Sequence, residues 1–342
     1  MPMSKTTTAA EILAEQDRAD QLTDTRTRVD PTDVSVAVVY PGNRVEKVAV
    51  PLQASRMDVA IDPPNPSDYD ILLVDNADRD LGVEVLKKPF HDATLVYRMR
   101  GDVFRELDLW DMHPLKKWAA KRVVLQHVDA TLAVSPGCAT QFAARTGVPT
   151  GVAGLVKDPT EWPTTVHADN ELRIATLTNF DYQLKIAPIL EWAPVVEEVL
   201  SESGGYWRVC GDGEYSDIAE EALAEYDHVE FAGYVDPNAE LNDSNCMIHA
   251  SRLDALPNAM LEGLASELPV ITTDFHEFLA YGEPLVCVDS ETRLRDTLHE
   301  FRDPKTRAER GRAGLERIRR DHTAMAVARQ YEAFFTEVLA NA

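Results

Sequence analysis

The chain is expected to be an α/β protein in which two mainly parallel sheets face each other across a deep cleft. Three observations carry this expectation. Short apolar runs alternate with helical patterns, which is how a parallel sheet covered on both faces reads. The alternation occurs twice, on either side of a Gly- and Pro-bearing stretch over residues 148–170. The chain has 342 residues with 44% apolar content, enough for two separate cores.

Residues 1–32 are polar, with a short helical pattern over 10–19 followed by a Thr/Asp/Arg mixture, and read as an extension outside the fold. The first buried strand is predicted over 34–40, stopped by Pro41, Gly42 and Asn43. Strands over 56–61, 69–74 and 93–97 follow, each short and bounded by polar or turn residues. A helix over 115–126, a strand over 130–134 and a helix over 138–146 complete the first half. The second half reads as strand 172–177, helix 186–201, strand 206–209, helix 215–226, strands 229–231 and 246–249, helix 258–266 and strand 269–272. Helical patterns over 292–301, 304–321 and 322–339 end the chain. The expected division is a first domain over 33–165, a second over 166–321, and a terminal helix over 322–342 that packs back toward the first.

Fifty-eight acidic against 34 basic residues give a formal charge of −24. Nonspecific attraction to nucleic acid or to an anionic lipid surface is disfavoured, although a few local bases can still form a pocket for an anion. The acids are dispersed and much of the positive charge is arginine, as in salt-adapted (halophilic) cytoplasmic proteins; an ordinary acidic enzyme is the alternative. Cys138, Cys210, Cys246 and Cys287 are widely spaced and form no CxxC pair or His/Cys cluster, so buried free thiols and no metal site are expected. No stretch reaches the roughly 18–20 apolar residues that span a bilayer. The first residues carry acids where a secretory signal needs an apolar core. A cytoplasmic protein is expected, with peripheral contact to a membrane-held substrate at the inner face left open, as is the oligomeric state.

The densest chemistry lies between Asp254 and Glu262, two carboxylates eight residues apart around a predicted helix start. Pro257 suits the first turn of that helix. The amides after it, at Asn258 and Ala259, together with the positive helix end, can hold a diphosphate. Glu262, one to two turns in, is placed to accept ribose hydroxyl hydrogens, and Asp254 can meet a transferred group. Read from the residues alone, the alternative is a turn-capping Asp254 and an exposed helix acid at Glu262.

Residues 251–274, from Ser251 through Asp254, Pro257 and Glu262 to Asp274, resemble the carboxy-terminal donor-binding motif of the retaining GT-B glycosyltransferases of family 4. Cys210-Gly211-Asp212-Gly213 with the following 229–233 resembles the glycine-bearing turn and strand of those enzymes, and 130–135 resembles the strand that closes their first domain. The likeness covers roughly residues 34–339. It implies a GT-B fold with two Rossmann-like domains. It also implies transfer of a hexose from a nucleotide diphosphate sugar to a hydroxyl of a glycan or lipid-linked glycan, with retention of configuration and no essential metal or cofactor. Asp254 would face the donor sugar and Glu262 the ribose; the first of these positions is more often glutamate, one methylene longer.

The family pairs an arginine with a lysine on the donor diphosphate. Lys185 falls near the lysine position, and Asn179 stands as a neutral substitute where arginine is expected. Lys185 would stabilise the departing diphosphate, or else be a solvated helix lysine. Gly213 belongs to the donor side of the likeness. Gly42 and Asn43 are expected at donor phosphate or acceptor, or form a plain turn. Arg98 and Arg100 follow a strand where related enzymes often carry a histidine; they can hold an anionic acceptor or phosphate, or pair with acids. His276 lies in a loop that borders the donor in such enzymes, whereas His127 and His249 are expected to be structural. A nucleotide-sugar epimerase or phosphorylase with a similar cleft, or a degenerate glycan-binding protein, are the competing readings.

Overall fold

The computed structural model describes residues 29–39, 46–75, 79–164 and 167–342. The expected helix over 10–19 and the turn residues Gly42 and Asn43 lie outside them. The first half runs β1 (Ser35–Val39), α1 (Glu46–Gln53), β2 (Asp58–Ile61), β3 (Ile71–Val74), α2 (Arg79–Lys87), β4 (Thr94–Met99), α3 (Val103–Leu109) and α4 (Pro114–Ala119). A π turn over Ala120–Val124 then leads to β5 (Ala130–Ala133), α5 (Pro136–Thr146) and β6 (Thr150–Val152). The second half runs β7 (Leu172–Leu177), α6 (Gln183–Ser203), β8 (Gly205–Cys210), α7 (Ser216–Leu223), β9 (Val229–Gly233), α8 (Pro237–Asp243) and β10 (Cys246–His249). It ends with α9 (Asn258–Ala265), β11 (Val270–Thr273), α10 (His276–Tyr281), β12 (Val286–Val288), α11 (Glu291–Glu300), α12 (Pro304–Asp321) and α13 (Ala324–Asn341).

These strands make two six-stranded parallel sheets, ordered β2-β1-β3-β4-β5-β6 and β12-β11-β10-β7-β8-β9. The near-continuous Val, Ile and Leu of β1, β3 and β7 are buried, as strands covered on both faces require. The expected helix over 115–126 is interrupted, because the backbone widens into the π turn after Ala119. The 148–170 stretch holds the short strand β6, which pairs with β5. Helices α1, α2, α3, α8 and α10 and strand β12 had no predicted counterpart; each is nine residues or shorter, and α1 carries Pro51 inside it.

Helix α13 lies on the first sheet, where Val327, Tyr331 and Phe335 share a buried cluster with Val36 and Val38. Arg56 pairs with Glu332 of that helix at 2.9 Å.

A buried carboxylate joins the two halves. Ser135 caps α5 through its hydroxyl oxygen, which accepts from the Cys138 amide at 3.2 Å. Glu277 of α10, itself buried, accepts from the Ser135 hydroxyl at 2.6 Å and from the same amide at 3.1 Å. An anion is at home on those helix-end amides. Gly137 leaves the space the carboxylate occupies, since a Cβ there would fall 2.3 Å from Glu277 Oε2. Burial raises the Cys138 thiol pKa far above its ordinary value, and the neighbouring Glu277 adds to that, so the thiol stays neutral and donates to Glu277 Oε1 at 3.3 Å.

Removing this carboxylate from the second half strands buried donors in the first, the Ser135 hydroxyl and the Cys138 amide and thiol. Glu277→Ala is expected to cost about 2–3 kcal/mol and to lower the calorimetric unfolding midpoint by roughly 3–4 °C; an unchanged midpoint would count against the clamp.

Candidate active site

In the second sheet the chain leaves β7 toward β8 on one side, while β10 and β11 lie on the other. The order reverses between β7 and β10, and the crevice outside the carboxyl ends of such strands is where α/β sheets bind ligands. A cleft of about 700 Å³ opens there. Its second-half wall comes from the loops after β7 (Thr178, Asn179, Tyr182), β8 (Gly211, Asp212) and β10 (Leu253 to Pro257). Gly211 and Gly213 permit the β8 turn: both have positive φ, and a Cβ at Gly211 would meet the Thr178 carbonyl oxygen at 1.9 Å.

Asp254 and Lys185 bind these loops together. Lys185 Nζ lies 2.7 Å from Asp254 Oδ1 and donates to Asn179 Oδ1 at 2.5 Å. His249 Nε2 approaches Asp254 Oδ2 at 3.4 Å. Burial pushes the Asp254 pKa up, but the His249 contact and the Lys185 charge outweigh it and hold the carboxyl well below the usual carboxylate range. Asp254 is therefore ionised at neutral pH. Asp254 Oδ2 and the buried His249 Nε2 meet only at that long 3.4 Å, and His249 Nδ1 has no hydrogen bond among the described residues. Buried polar atoms of this kind call for a partner, and here they border an open cleft.

Pro257 stands at the cap position with extended backbone, one residue before α9, and no side chain caps that helix. The amides of Asn258 and Ala259 thus open the helix beside the cleft, which both residues line. Glu262, one turn further, also lines the cleft, and its carboxylate pairs with Lys157 at 2.9 Å. Lys157 comes from the segment joining the two sheets and lies over the Trp162 ring, 5.0 Å from its centroid.

The facing wall comes from the first half and includes Lys47, Arg100, Gly101 and Glu106. Arg98 borders the cleft but is buried and spent on Asp75, at 2.5 Å. Arg100 pairs with the other oxygen of the same carboxylate from a more exposed position. Of the two readings open for these arginines, the structure shows pairing with an acid: one shared Asp75 neutralises both in part, and Arg100 is the one that reaches solvent. Glu106 packs into space that only a glycine leaves, since a Cβ at Gly101 would meet Glu106 Oε1 at 2.2 Å. Burial raises the Glu106 pKa, the charges of Asp102 and Asp254 add to the rise, and Lys185 and Arg100 oppose it.

Two expected residues stand away from the cleft lining. Gly213 is closed in by the backbone of Phe180 and Asp181. His276 is drawn to the seam between the halves, against Gln141 and 3.2 Å from Glu277. Conversely, Lys157, Glu106 and Lys47 escaped the sequence reading, and His249, expected there to be structural, lines the cleft. For His249 the position at the end of a strand was a usable signal; the other three are brought in by tertiary contacts.

A group with a raised folded-state pKa binds its proton more tightly when folded, so stability falls as pH rises from the unfolded value of about 4.3 through the folded value. Glu106→Gln is accordingly expected to raise the unfolding midpoint at neutral pH and to change it little near pH 4. Thermal melts at the two pH values check this; a fall at neutral pH would contradict it.

A family model described as Glycosyl transferases group 1 matches residues 183–301. The ORF31 protein of a virus (isolate Australia/Victoria), which bears the name of a glycosyltransferase, is 35% identical over 309 residues, covering 90% of this chain and 98% of the relative. Among solved structures, Anabaena HepE in complex with UDP and glucose aligns with a TM-score of 0.65 at 12% identity, over 88% of this chain and 98% of that one. A glycosyltransferase from Rickettsia africae ESF-5 gives 0.65 at 12% identity, over 90% and 99%. S. aureus TarM, in a complex with UDP, gives 0.61 at 13% identity over 78% of this chain, which spans about half of TarM's length (55%). These structures speak to architecture, and the architecture is GT-B. Given a relative aligned along nearly its whole length, the chain belongs to the group 1 glycosyl transferases and is a glycosyltransferase of GT-B fold.

Proposed function

We propose that the chain moves a sugar from a nucleotide diphosphate donor to a hydroxyl of a glycan or lipid-linked glycan, with retention of anomeric configuration, as in family 4. The observation that carries this is the convergence at one sheet crevice of the Lys185–Asp254 pair, the uncapped start of α9 and Glu262. The diphosphate would lie on the Asn258 and Ala259 amides with Lys185 beside it, and Glu262 would take the ribose hydroxyls, sharing them with Lys157.

Asp254 and His249 have polar atoms left for the hydroxyls of the donor sugar. In the transfer step the bond from the anomeric carbon to the leaving phosphate oxygen breaks as the acceptor oxygen bonds on the same face. The acceptor proton passes to that phosphate oxygen, so Asp254 is not needed as a nucleophile. Positive charge at the leaving group stabilises the developing diphosphate. Lys185 supplies it from the donor wall, and Arg100 and Lys47 stand on the facing one. No metal has a part in this scheme.

HepE and TarM hold UDP in their structures, which makes UDP-sugars the first donors to test. The decisive screen is mass spectrometry of nucleotide sugars against free and lipid-linked glycans, at low and at high salt because of the dispersed acids. A new glycosidic bond with release of nucleotide diphosphate is expected; donor isomerisation without acceptor would overturn the proposal. In the productive pair, Glu262→Ala should weaken donor binding about 10- to 100-fold. Lys185→Ala should slow transfer by about 10²–10³ with a smaller effect on folding. Folded variants with unchanged affinity and rate would sink both assignments.

A further inference from the structure

We infer that the face built from α2, the turn after it and α4 docks on an anionic phospholipid bilayer. The chain as a whole carries a formal charge of −24, but this face carries the opposite sign. Residues 112–128 contain Lys116, Lys117, Lys121 and Arg122 and no acid. Five of the chain's ten lysines, these three with Lys87 and Lys88, fall between residues 87 and 121.

Exposed apolar side chains gather in the same place. Of the twelve large ones among the described residues, six lie here: Leu86, Phe90, Leu109, Leu115, Trp118 and Val123. Phe90 is 86% exposed, Leu86 75%, Leu115 65% and Trp118 57%. The segments are neighbours, since α2 packs on the π turn and Lys88 donates to the His127 carbonyl at 2.9 Å. Internal acids occupy part of the charge: Lys87 pairs with Glu84, Lys88 with Asp129 and Lys121 with Asp108, and Lys117 donates to the Asp108 carbonyl. Lys116 and Arg122 remain exposed.

Charge complementarity selects the occupant. An indole and aliphatic side chains between long basic ones suit the headgroup boundary, where lysine and arginine stems lie along apolar surface with their charges outward. Screening over about 8–10 Å keeps the interaction local, so the acids elsewhere do not cancel it. No helix among the described residues is long and apolar enough to cross a membrane, so the contact lies on the surface. Position adds a reason. Glu106 of α3 lines the cleft, and the same helix ends at Leu109 on this face. A lipid-held acceptor would therefore meet the first-half wall of the cleft. That purpose rests on the proposed transfer reaction, while the surface itself does not.

The test is flotation of the full chain with phosphatidylcholine vesicles, with and without about one-third phosphatidylglycerol, at low salt and at roughly 0.5 M salt. Binding is expected only to the anionic vesicles and only at low salt. It should fall at least about tenfold in Lys116→Glu/Arg122→Glu and in Leu115→Ala/Trp118→Ala. The control Lys305→Glu/Arg310→Glu, which changes net charge equally on exposed positions of α12, should bind as the unaltered chain does. Circular dichroism confirms folding of each. No flotation, or equal loss in the control, overturns the inference. So does a dimer that Leu115→Ala/Trp118→Ala dissolves without any vesicle binding, which would assign the face to a second copy. Calorimetric titration with UDP separates the two claims: vesicle binding without UDP binding would defeat the donor reading and leave the docking surface standing.

Discussion

A buried aspartate must be partnered, and the way Asp254 is partnered governs the rest of the cleft. Its carboxylate joins the loop after β10 to Lys185 at the start of α6, across the point where the sheet order reverses. The two loops diverge there, and the ion pair spans the gap between them. Losing one member of such a pair leaves an uncompensated charge, which costs more than the pair itself contributes. With the loop held, Leu256 and Pro257 deliver α9 with its free amides at the cleft and Glu262 one turn inside. Electrostatics at one sheet crevice thus sets the direction of a helix, and the helix sets where an anion can lie.

The opposite wall depends on a different buried carboxylate. Glu277 reaches from the second half onto the first amides of α5, so the halves meet through a helix end as well as through apolar packing. Asp75 does comparable work within the first half by gathering Arg98 and Arg100 at the ends of β3 and β4. Each of these acids organises a wall, and each is matched by donors close at hand. Glu106 is the exception. It is a partly buried acid that lines the cleft, its pKa raised by burial and by the charges of Asp102 and Asp254.

Much of the architecture was legible in the chain because parallel sheets need continuous apolar strands, and β1, β3, β7 and β10 supply them. The spacing of Asp254 and Glu262 around Pro257 was legible for the same local reason, since a helix start constrains its neighbours. What escaped reading is non-local. Lys157 meets Glu262 over 105 positions of sequence. Glu106 matters only because Gly101 leaves it room. Which of its two readings held for Arg98 could not be read locally, because its partner Asp75 lies 23 residues earlier. His276 was placed near the donor by its loop, yet the neighbouring Glu277 fixes that loop at the seam. Short helices such as α3 and α8 present too few turns for a period to emerge.

The central claim is that the crevice between β7 and β10 holds a nucleotide diphosphate, with its ribose on Glu262 and its phosphates on the start of α9. A crystal structure of the chain soaked with UDP tests this most directly. The account predicts ribose hydroxyls within hydrogen-bond distance of Glu262 and diphosphate oxygens against the Asn258 and Ala259 amides and Lys185. UDP bound elsewhere, or bound there with its ribose turned away from Glu262, would contradict it.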